Sequence, residues 1–366
     1  MKNIVLFGGA FDPIHNGHLN MANMASRELD ADVIFVPARI SVWKTKSISV
    51  EDKMNMIALA INTVNKNRFS ISRYELDSKS DVCYSIDTVK YFKRNLRDAN
   101  LYLLIGTDQV NSFDQWKSPD EIASLVQIVY FSRPGLELSQ KNIERFHMQQ
   151  IPGEMVDVSS TDIRDCKSLN LPFNVVEYIL SHDLYFTRKI KSYLSDSRFK
   201  HSVSVAKLAY EIAVENEVPN PEKYILTGLL HDIGKYVSEE STKRIMDEHF
   251  SEYLYLEPMI YHQFVGRYLV ERDFDIHDEE ILEAIEYHTT GKGDMSDLAK
   301  VIYCSDKIEP TRGFNSYGLI NAMKVNIVTG MSEVLKSNIE YYESHGVNYK
   351  NPLTNACIEQ YLIKEL

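Results

Sequence analysis

The pattern of apolar residues changes once along this chain, close to Tyr185, and that change constrains the fold more than any other feature. Before it, short apolar runs end at turn residues and alternate with helix-like segments: residues 3–7 end at Gly8-Gly9, and residues 101–105 end at Gly106. Such runs, separated by helices, predict βα units around a buried parallel sheet. After it, apolar residues recur at three- and four-residue steps, which predicts helices alone.

The individual elements follow from the same pattern. Strands are predicted over residues 3–7, 31–36, 101–105, 127–131 and 155–158. The helices between them are predicted over residues 18–29, 51–64, 85–96, 119–125 and 172–181. In the second half, helices are predicted over residues 198–216, 221–235, 258–272, 278–288, 296–309, 316–328, 331–344 and 353–365.

A length of 366 residues is more than one ordinary domain holds. Because single domains usually contain about 100–200 residues, two domains are expected. We place the linker at Thr187–Lys191, which gives an α/β domain with a parallel sheet over residues 1–188 and an all-α domain over residues 189–366.

Composition and charge exclude several classes of protein. The net charge is −12, of which −2 falls in residues 1–188 and −10 in residues 189–366, so neither half has the basic surface that holds nucleic acid. No apolar run approaches the roughly 18 residues of a membrane helix, and the N-terminus lacks a signal-peptide pattern. The four cysteines have no paired spacing, which indicates a reducing compartment and no thiolate metal site. We therefore expect a cytoplasmic protein that binds neither nucleic acid nor membranes.

The string from Gly8 to His18 follows a predicted strand and precedes a predicted helix. In open α/β sheets, anions bind at such a position, against backbone N–H groups and a helix N-terminus. Gly8 and Gly9 permit close approach of the backbone to a phosphate, and His15 and His18 are spaced to reach one oxyanion. The string therefore predicts a phosphate site.

A second string, from Val158 to Arg164, also follows a predicted strand. Hydroxyls, a helix-start amide cluster and an arginine together form a phosphate clamp. Alone, it is equally compatible with a helix capped by Ser159 or Ser160. The presence of the first string favours the clamp.

The two strings resemble the motifs of the nucleotidyltransferase superfamily, and the first is similar to that of bacterial nicotinate-nucleotide adenylyltransferases. The resemblance covers nearly all of residues 1–186. It implies a Rossmann-like sheet. It also implies the synthesis of nicotinate adenine dinucleotide from ATP and nicotinate mononucleotide, with Mg²⁺, releasing pyrophosphate. Agreement continues at Tyr84–Thr88, Ile105–Asp108, Trp116, Ser132–Gly135 and Val175–Tyr185.

The resemblance also implies roles for individual residues. His15 and His18 would hold the ATP phosphates and the charge that develops at the α-phosphorus. Lys44, Ser160 and Arg164 would help to grip the triphosphate. The other substrate-binding residues of the two strings and of the later matches would be Gly8, Gly9, Phe11, Asp12, Arg133, Ser159 and Thr161. Gly106 and Asp108 would contact adenosine, and Trp116 would stack on the pyridine ring beside Tyr84, Ser85 and Thr88.

Two stretches depart from the family pattern. Ser41–Lys44 stands where the family commonly has Pro-Pro-His-Lys, and only the lysine is kept. Cys83–Ser85 stands where Ser-Tyr-Thr is usual. Both belong to the mononucleotide side, so the preference between the nicotinate and the nicotinamide substrate stays open.

In the second half, histidines and aspartates are spaced along several predicted helices. Imidazole and carboxylate together suit Fe, Mn or Zn, and bundles build such sites by converging side chains from different helices. A single buried histidine is more often structural, whereas six incidental ligands are improbable. The six predicted metal ligands are His201, His231, Asp232, His262, His288 and Asp306.

The pattern His…His-Asp…Asp resembles the HD-domain phosphohydrolases. More narrowly, it is similar to a bacterial branch that hydrolyses diadenosine tetraphosphate symmetrically to two ADP and uses iron. The resemblance covers residues 190–330. It implies two Fe ions (or Mn²⁺), the first held by His201, His231, Asp232 and Asp306, the second by His262 and His288 with Asp232 bridging. It also assigns Lys235 or Arg312 to the phosphates.

Two alternatives remain for the second half. It could hydrolyse another nucleotide, such as a cyclic dinucleotide or a nucleoside monophosphate. It could also be a regulatory module that senses an adenine nucleotide without cleaving it. Six intact metal ligands favour hydrolysis. Neither the oligomeric state nor any communication between the halves follows from the sequence.

Overall fold

A computed structural model describes the chain except for residues 40–47, 66, 79–81, 133–136, 154–155, 157 and 363–366. The chain divides into two compact units. The first comprises residues 1–163 and 170–184, and the second comprises residues 164–169 and 185–366. The domain boundary that the sequence predicts between residues 188 and 189 stays a prediction.

The first unit contains a six-stranded parallel sheet in the order β3-β2-β1-β4-β5-β6. Its central strands are apolar and buried because helices cover both faces of a parallel sheet. This order is that of a Rossmann-like doubly wound sheet, which confirms the predicted fold class. The strands are β1 Lys2–Gly9, β2 Ala31–Pro37, β3 Phe69–Ile71, β4 Ala99–Ile105, β5 Gln127–Tyr130 and β6 Gln149–Gln150.

Helices alternate with these strands, and side chains cap several of them. Ser49 accepts a hydrogen bond from the Asp52 N–H at the start of the second helix, and Ser139 does so from the Asn142 N–H at the start of the sixth. The helices of this part are α1 Asn16–Glu28, α2 Val50–Val64, α3 Ser85–Asn95, α4 Thr107–Ser112, α5 Pro119–Leu125, α6 Gln140–Arg145, α7 Ser160–Arg164 and α8 Phe173–Ser181.

Three short strand assignments differ from the sequence prediction. The strand predicted at residues 155–158 lies partly outside the described residues, and its described members Val156 and Val158 are not in a strand. The sequence analysis missed β3 and β6. β3 has three residues and β6 is Gln-Gln, so neither produces a recognisable apolar run.

The second unit is helical throughout its described residues, as predicted. Close packing of α10 and α11 depends on Gly228, where an added Cβ would lie 2.5 Å from the Ala206 Cα. Its helices are α9 Thr187–Lys191, α10 Asp196–Glu215, α11 Glu222–Leu230, α12 Glu239–His249, α13 His262–Phe274, α14 Glu279–Glu286, α15 Asp297–Ile308, α16 Tyr317–Val325, α17 Ile327–His345 and α18 Pro352–Tyr361.

The sequence analysis missed α12. This helix is mostly polar and buries only Ile245 and Met246, so its apolar repeat is too sparse to recognise. Within the described ranges, no helix is both long and apolar enough to span a bilayer.

Candidate active sites

The first site lies where the strand order reverses, between the neighbouring strands β1 and β4. Gly8 lies at the end of β1 and Gly106 directly follows β4. A Cβ added at either glycine would meet nothing within 4 Å, so both turns border open space. Gly9 has a different role, because a Cβ there would lie 2.9 Å from the Phe11 ring. Ligands of doubly wound sheets bind at such a reversal, beyond the carboxyl ends of the strands.

His15 and His18 hold each other in a reciprocal cap at the start of α1. The His15 Nδ1 accepts from the His18 N–H at 3.4 Å, and the His18 Nδ1 accepts from the His15 N–H at 3.3 Å. Their rings stack with centroids 3.6 Å apart. Since each Nδ1 accepts, the neutral form of each ring carries its proton on Nε2. Burial, aided by the neighbouring His15, lowers the pKa of His18 well below its ordinary value. Nε2–H donors suit a phosphate oxyanion.

The rest of the first string packs beneath this pair. Phe11 is buried with its ring centroid 5.0 Å from that of His18. Burial lowers the pKa of Lys53, whereas the charge of Asp12 raises it. The buried Lys53 donates from Nζ to the Ala38 carbonyl at 3.0 Å. The sequence analysis missed Lys53, and as a lone lysine in α2 it carries no distinguishing signal.

The second string adjoins the first. Ser160 donates from Oγ to the Pro13 carbonyl at 3.0 Å, and a Cβ on Gly17 would lie 2.8 Å from Val158. Ser159 caps α7 by accepting from the Asp162 N–H at 3.1 Å. Ser159 therefore caps the helix, and the second string lies against the first, whereas the phosphate clamp stays a prediction.

Two further residues of the second string take separate positions. Thr161 is exposed in the first turn of α7. Arg164 is the last residue of α7 and the first residue of the second unit.

The residues that are predicted to lie beside the mononucleotide differ in their exposure and hydrogen bonding. Tyr84 is exposed, with the Lys117 Nζ 3.9 Å above its ring, and Ser85 begins α3. Thr88 is buried and donates from Oγ1 to the Glu75 Oε1 at 2.6 Å, so its hydroxyl is already engaged. Burial raises the pKa of Glu75, against the Thr88 hydrogen bond.

The other predicted substrate contacts are placed as follows. Trp116 is half-buried, with its ring centroid 4.9 Å from that of Phe113, and Asp108 is exposed in α4. Lys44 and Arg133 lie outside the described residues.

In the second unit, four imidazoles share one arrangement. Each has its Nδ1 hydrogen-bonded and its Nε2 near a carboxylate. The Nδ1 partners are Glu309 Oε1 for His201 (2.9 Å), the Gly228 carbonyl for His231 (2.7 Å), the Met259 carbonyl for His262 (2.9 Å) and the Ile285 carbonyl for His288 (2.7 Å). Metal-bound histidines almost always have such a partner on the other nitrogen.

The Nε2 atoms converge on two aspartates. His201 Nε2 lies 3.0 Å from Asp306 Oδ1, and the Nε2 atoms of His262 and His288 each lie 3.6 Å from Asp232 Oδ1. Two potential metal-binding triads result, one of His201, His231 and Asp232, the other of Asp232, His262 and His288. Asp232 belongs to both. All six predicted ligands are thus brought together.

The surroundings of the His231 Nε2 show whether this cluster fits a metal. It is buried and makes no hydrogen bond within the described residues, and the oxygens of Asp232 and Asp306 lie 3.5 and 3.7 Å away. Burial would lower the pKa of His231, yet these carboxylates raise it to about 10. A divalent cation binds the same nitrogen in place of that proton. The donor set therefore fits a divalent metal centre.

Four cations surround the cluster. Arg198 donates to Asp232 Oδ2 at 2.8 Å, and Lys235 Nζ lies 3.3 Å from His262 Nε2. Arg312 donates to Asp306. The half-buried Lys307 donates to the His288 carbonyl at 2.9 Å. This density of positive charge suits a polyphosphate.

Sequence reasoning assigned Lys235 and Arg312 but missed three neighbours. Glu309 is buried and orients His201, while Arg198 and Lys307 add charge. Glu309 and Lys307 lie in the Asp306–Arg312 string, and Arg198 lies three residues before His201, so proximity to a ligand was the available signal.

A glycine-lined phosphate site and a converging imidazole–carboxylate cluster define a nucleotide-handling protein with two centres. Residues 6–166 match the cytidylyltransferase-like family, and residues 198–311 match the HD domain.

Among curated relatives, a probable nicotinate-nucleotide adenylyltransferase/Ap4A hydrolase of Mycoplasma genitalium is 29% identical, over 85% of this chain and 88% of its own. A probable nicotinate-nucleotide adenylyltransferase of Clostridium botulinum (strain Okra / Type B1) is 34% identical, over 50% of this chain and all of its own. A solved structure of a predicted HD superfamily hydrolase involved in NAD metabolism, from Clostridium acetobutylicum, is 30% identical over 47% of this chain and 96% of its own, with a TM-score of 0.42. The chain therefore belongs to the nicotinate-nucleotide adenylyltransferase family and carries an HD domain in its second half.

Proposed function

We propose that the chain is a bifunctional enzyme. The first unit transfers AMP from ATP to nicotinate mononucleotide, giving nicotinate adenine dinucleotide and pyrophosphate. The second hydrolyses diadenosine tetraphosphate to two ADP. The names of the relatives support the pairing of activities. The paired Nε2–H donors of His15 and His18 at the strand reversal support the transfer, and the six-ligand cluster supports the hydrolysis.

Transfer needs no protein nucleophile. A phosphate oxygen of nicotinate mononucleotide attacks the α-phosphorus of ATP and forms the new P–O bond. The bond to the bridging oxygen breaks, and that oxygen leaves with pyrophosphate. Positioning and charge stabilisation then supply the catalysis. His15 and His18 donate to the oxygens that gain charge, and the open turns at Gly8 and Gly106 admit the phosphates and adenosine.

The other predicted residues contact the remaining parts of the two substrates. Lys44, Ser160 and Arg164 hold the triphosphate that Mg²⁺ accompanies as part of the substrate. Trp116 stacks on the pyridine ring. Tyr84 lies on the same side.

For hydrolysis, we propose two iron or manganese ions. The first is held by His201, His231, Asp232 and Asp306, and the second by Asp232, His262 and His288. When bound, the ions supply Lewis-acid stabilisation of charge on the reacting phosphoryl group.

The chain's own cations hold the substrate in line. Lys235 and Arg312 neutralise the phosphates on either side of the bond that breaks. Water adds to a β-phosphorus, and the oxygen bridging the two central phosphorus atoms stays with the other half, so the products are two ADP. Four cations around the cluster favour this substrate over a nucleoside monophosphate, which carries too little charge to need them.

Product analysis on the full chain tests both activities. ATP with nicotinate mononucleotide should give the dinucleotide and pyrophosphate, and the nicotinamide mononucleotide run beside it should resolve the acid or amide preference by kcat/KM. Diadenosine tetraphosphate should give two ADP, not ATP and AMP. Wild-type protein that is reconstituted anaerobically with Fe²⁺ or Mn²⁺ but binds fewer than two ions and releases no ADP would refute the second activity.

His288→Ala tests the two-ion arrangement separately. It should remove mainly the second ion, because the first ion's four ligands stay intact. Metal analysis should therefore find close to one ion per chain. Unchanged binding of two ions would remove His288 from the ligand set.

The cytoplasm is the compartment that we propose. All four cysteines are free, and three of them are buried. This arrangement suits a protein that stays in a reducing environment.

A further inference from the structure

Two cavities adjoin the metal-ligand cluster and meet at Lys235, Met259 and His262. Their volumes are about 730 Å³ and about 880 Å³. Ligand pockets usually measure about 300–1,000 Å³, so each has room for a nucleoside. A substrate with a nucleoside at each end can therefore extend into both. The two cavities nevertheless differ in chemistry.

More aromatic rings line the first cavity than the second, and we call the first the aromatic cavity. Phe314 and Tyr341 are 48% and 56% exposed, and Tyr342 lies beside them. Tyr341 is held in place by stacking on His345, with ring centroids 4.2 Å apart. Such rings form a stacking surface for a nucleobase.

The second, which we call the polar cavity, offers less to a base. Tyr261 is the one aromatic residue among the described residues that line it, and its hydroxyl donates to the Leu254 carbonyl at 3.0 Å. Glu239 and Asp247 add negative charge, which Lys243 and the shared Lys235 balance. The described lining of the polar cavity therefore lacks the excess of positive charge that attracts a phosphate chain.

The positions of the cationic side chains favour phosphate binding in the aromatic cavity. Arg198, Lys307 and Arg312 line the aromatic cavity, and only Lys235 lines both. On the basis of the proposed hydrolysis, we propose that the second unit recognises its symmetrical substrate unsymmetrically. The aromatic cavity grips one adenosine and its phosphates, and the polar cavity accommodates the other adenosine with little affinity.

Inhibition of diadenosine tetraphosphate cleavage by the full chain tests this. ADP should inhibit at a concentration at least about tenfold lower than pyrophosphate, because stacking of one base typically contributes a factor of this size. Tyr341→Ala should raise both the KM and the inhibition constant of ADP about tenfold. It should leave kcat and inhibition by pyrophosphate nearly unchanged. Tyr341→Phe should restore wild-type values.

Variants elsewhere complete the test. Leu254→Ala, in the polar cavity, should raise KM less than threefold. Tyr317→Ala, which lines neither cavity, should match wild type. Equal effects of Tyr341→Ala and Leu254→Ala, or an unchanged inhibition constant of ADP in Tyr341→Ala, would overturn the unsymmetrical recognition.

Calorimetric titration with ADP separates this inference from the proposed hydrolysis. Binding that weakens about tenfold in Tyr341→Ala supports the aromatic cavity even if the wild-type chain releases no ADP from diadenosine tetraphosphate. Conversely, normal cleavage with unchanged ADP binding in that variant would refute the cavity and leave the hydrolysis standing.

Discussion

The two sites of this chain are built in opposite ways. The first is assembled from two short strings, Gly8–His18 and Val158–Arg164, at the carboxyl edge of a sheet. The second gathers His201, Asp232 and Asp306 with three further histidines, from several helices and from the turns that follow two of them. A site made of local backbone turns keeps its geometry as long as the sheet folds. A site made of converging side chains depends on every packed helix.

The two sites also differ in the charges of their residues. In the first site, burial, aided by His15, holds the pKa of His18 well below its ordinary value, so that this imidazole is neutral. In the second, burial would raise the pKa of the Asp306 carboxyl, but the neighbouring His201 and His231 imidazoles hold that pKa well below its usual range. The first site therefore needs no resident ion to be stable, whereas the second gathers charges that a metal would balance.

The largest expected effect comes from Asp232, the residue common to both triads. Asp232→Ala should lose both ions together and abolish cleavage of diadenosine tetraphosphate, while adenylyl transfer continues at its normal rate. Metal analysis beside both product assays measures this. His277→Ala, at an exposed histidine outside the cluster, should keep both ions. A variant of Asp232 that retains two ions would mean that the triads do not share this ligand.

His18→Ala is the matching test of the first site. It removes one of two oxyanion donors, and such a loss typically lowers turnover by about 10² or more. Cleavage of diadenosine tetraphosphate should be unaffected, because sites in separate compact units usually behave independently. His182→Ala, an exposed histidine of the same unit, serves as the control. Near-normal transfer by His18→Ala would remove this residue from the mechanism.

Variants of Glu309 test how far metal binding at the second site depends on the orientation of the His201 ring. Glu309→Ala frees the His201 Nδ1 and removes the acceptor of the Thr311 N–H, so metal affinity should fall by about 10–100-fold. Glu309→Gln keeps an acceptor and should recover most of that loss. The measurement is a metal titration at fixed pH. Equal affinity of the alanine variant and wild type would show that His201 needs no orienting partner.

The contrast also explains what the sequence could predict. The Rossmann-like sheet was predictable because its central apolar runs are long and end at glycines such as Gly8 and Gly106. The clustering of the six predicted ligands was predictable because adjacent residues such as His231-Asp232 mark the motif, and their metal binding stays a prediction. The strands Phe69–Ile71 and Gln149–Gln150 were not predictable, since the first has three residues and the second is a pair of glutamines, and such short strands owe their pairing to the neighbouring strand.

Supporting residues were beyond the reach of sequence reasoning for a similar reason. Glu309 and Lys53 act through contacts with residues far away in sequence, at His201 and Ala38. A carboxylate that orients a histidine has no residue pattern of its own. The departure at Ser41–Lys44 lies outside the described residues, so the mononucleotide preference stays a prediction for the kinetic comparison.

The smallest expected effect concerns acid stability of the first site. Burial lowers the pKa of His18 well below 6.5, its value in an unfolded chain. Below pH 6.5 the unfolded chain therefore binds a proton at His18 that the folded chain does not, and acid favours unfolding. The stability contribution is complete above pH 6.5 and is lost as the pH falls toward the folded pKa. One such group can change the free energy of unfolding by at most about 1.4 kcal/mol per pH unit.

Tryptophan fluorescence isolates this effect, because both tryptophans of the chain, Trp43 and Trp116, lie in the first half. Denaturant titrations at pH 7 and pH 5.5 should show a wild-type loss of unfolding free energy that exceeds the loss in His18→Gln by about 1 kcal/mol. His182→Gln, at an exposed histidine, should follow wild type. If wild type and His18→Gln lose stability in parallel, His18 is not held neutral by the fold, and the first site then shares the charged character of the second.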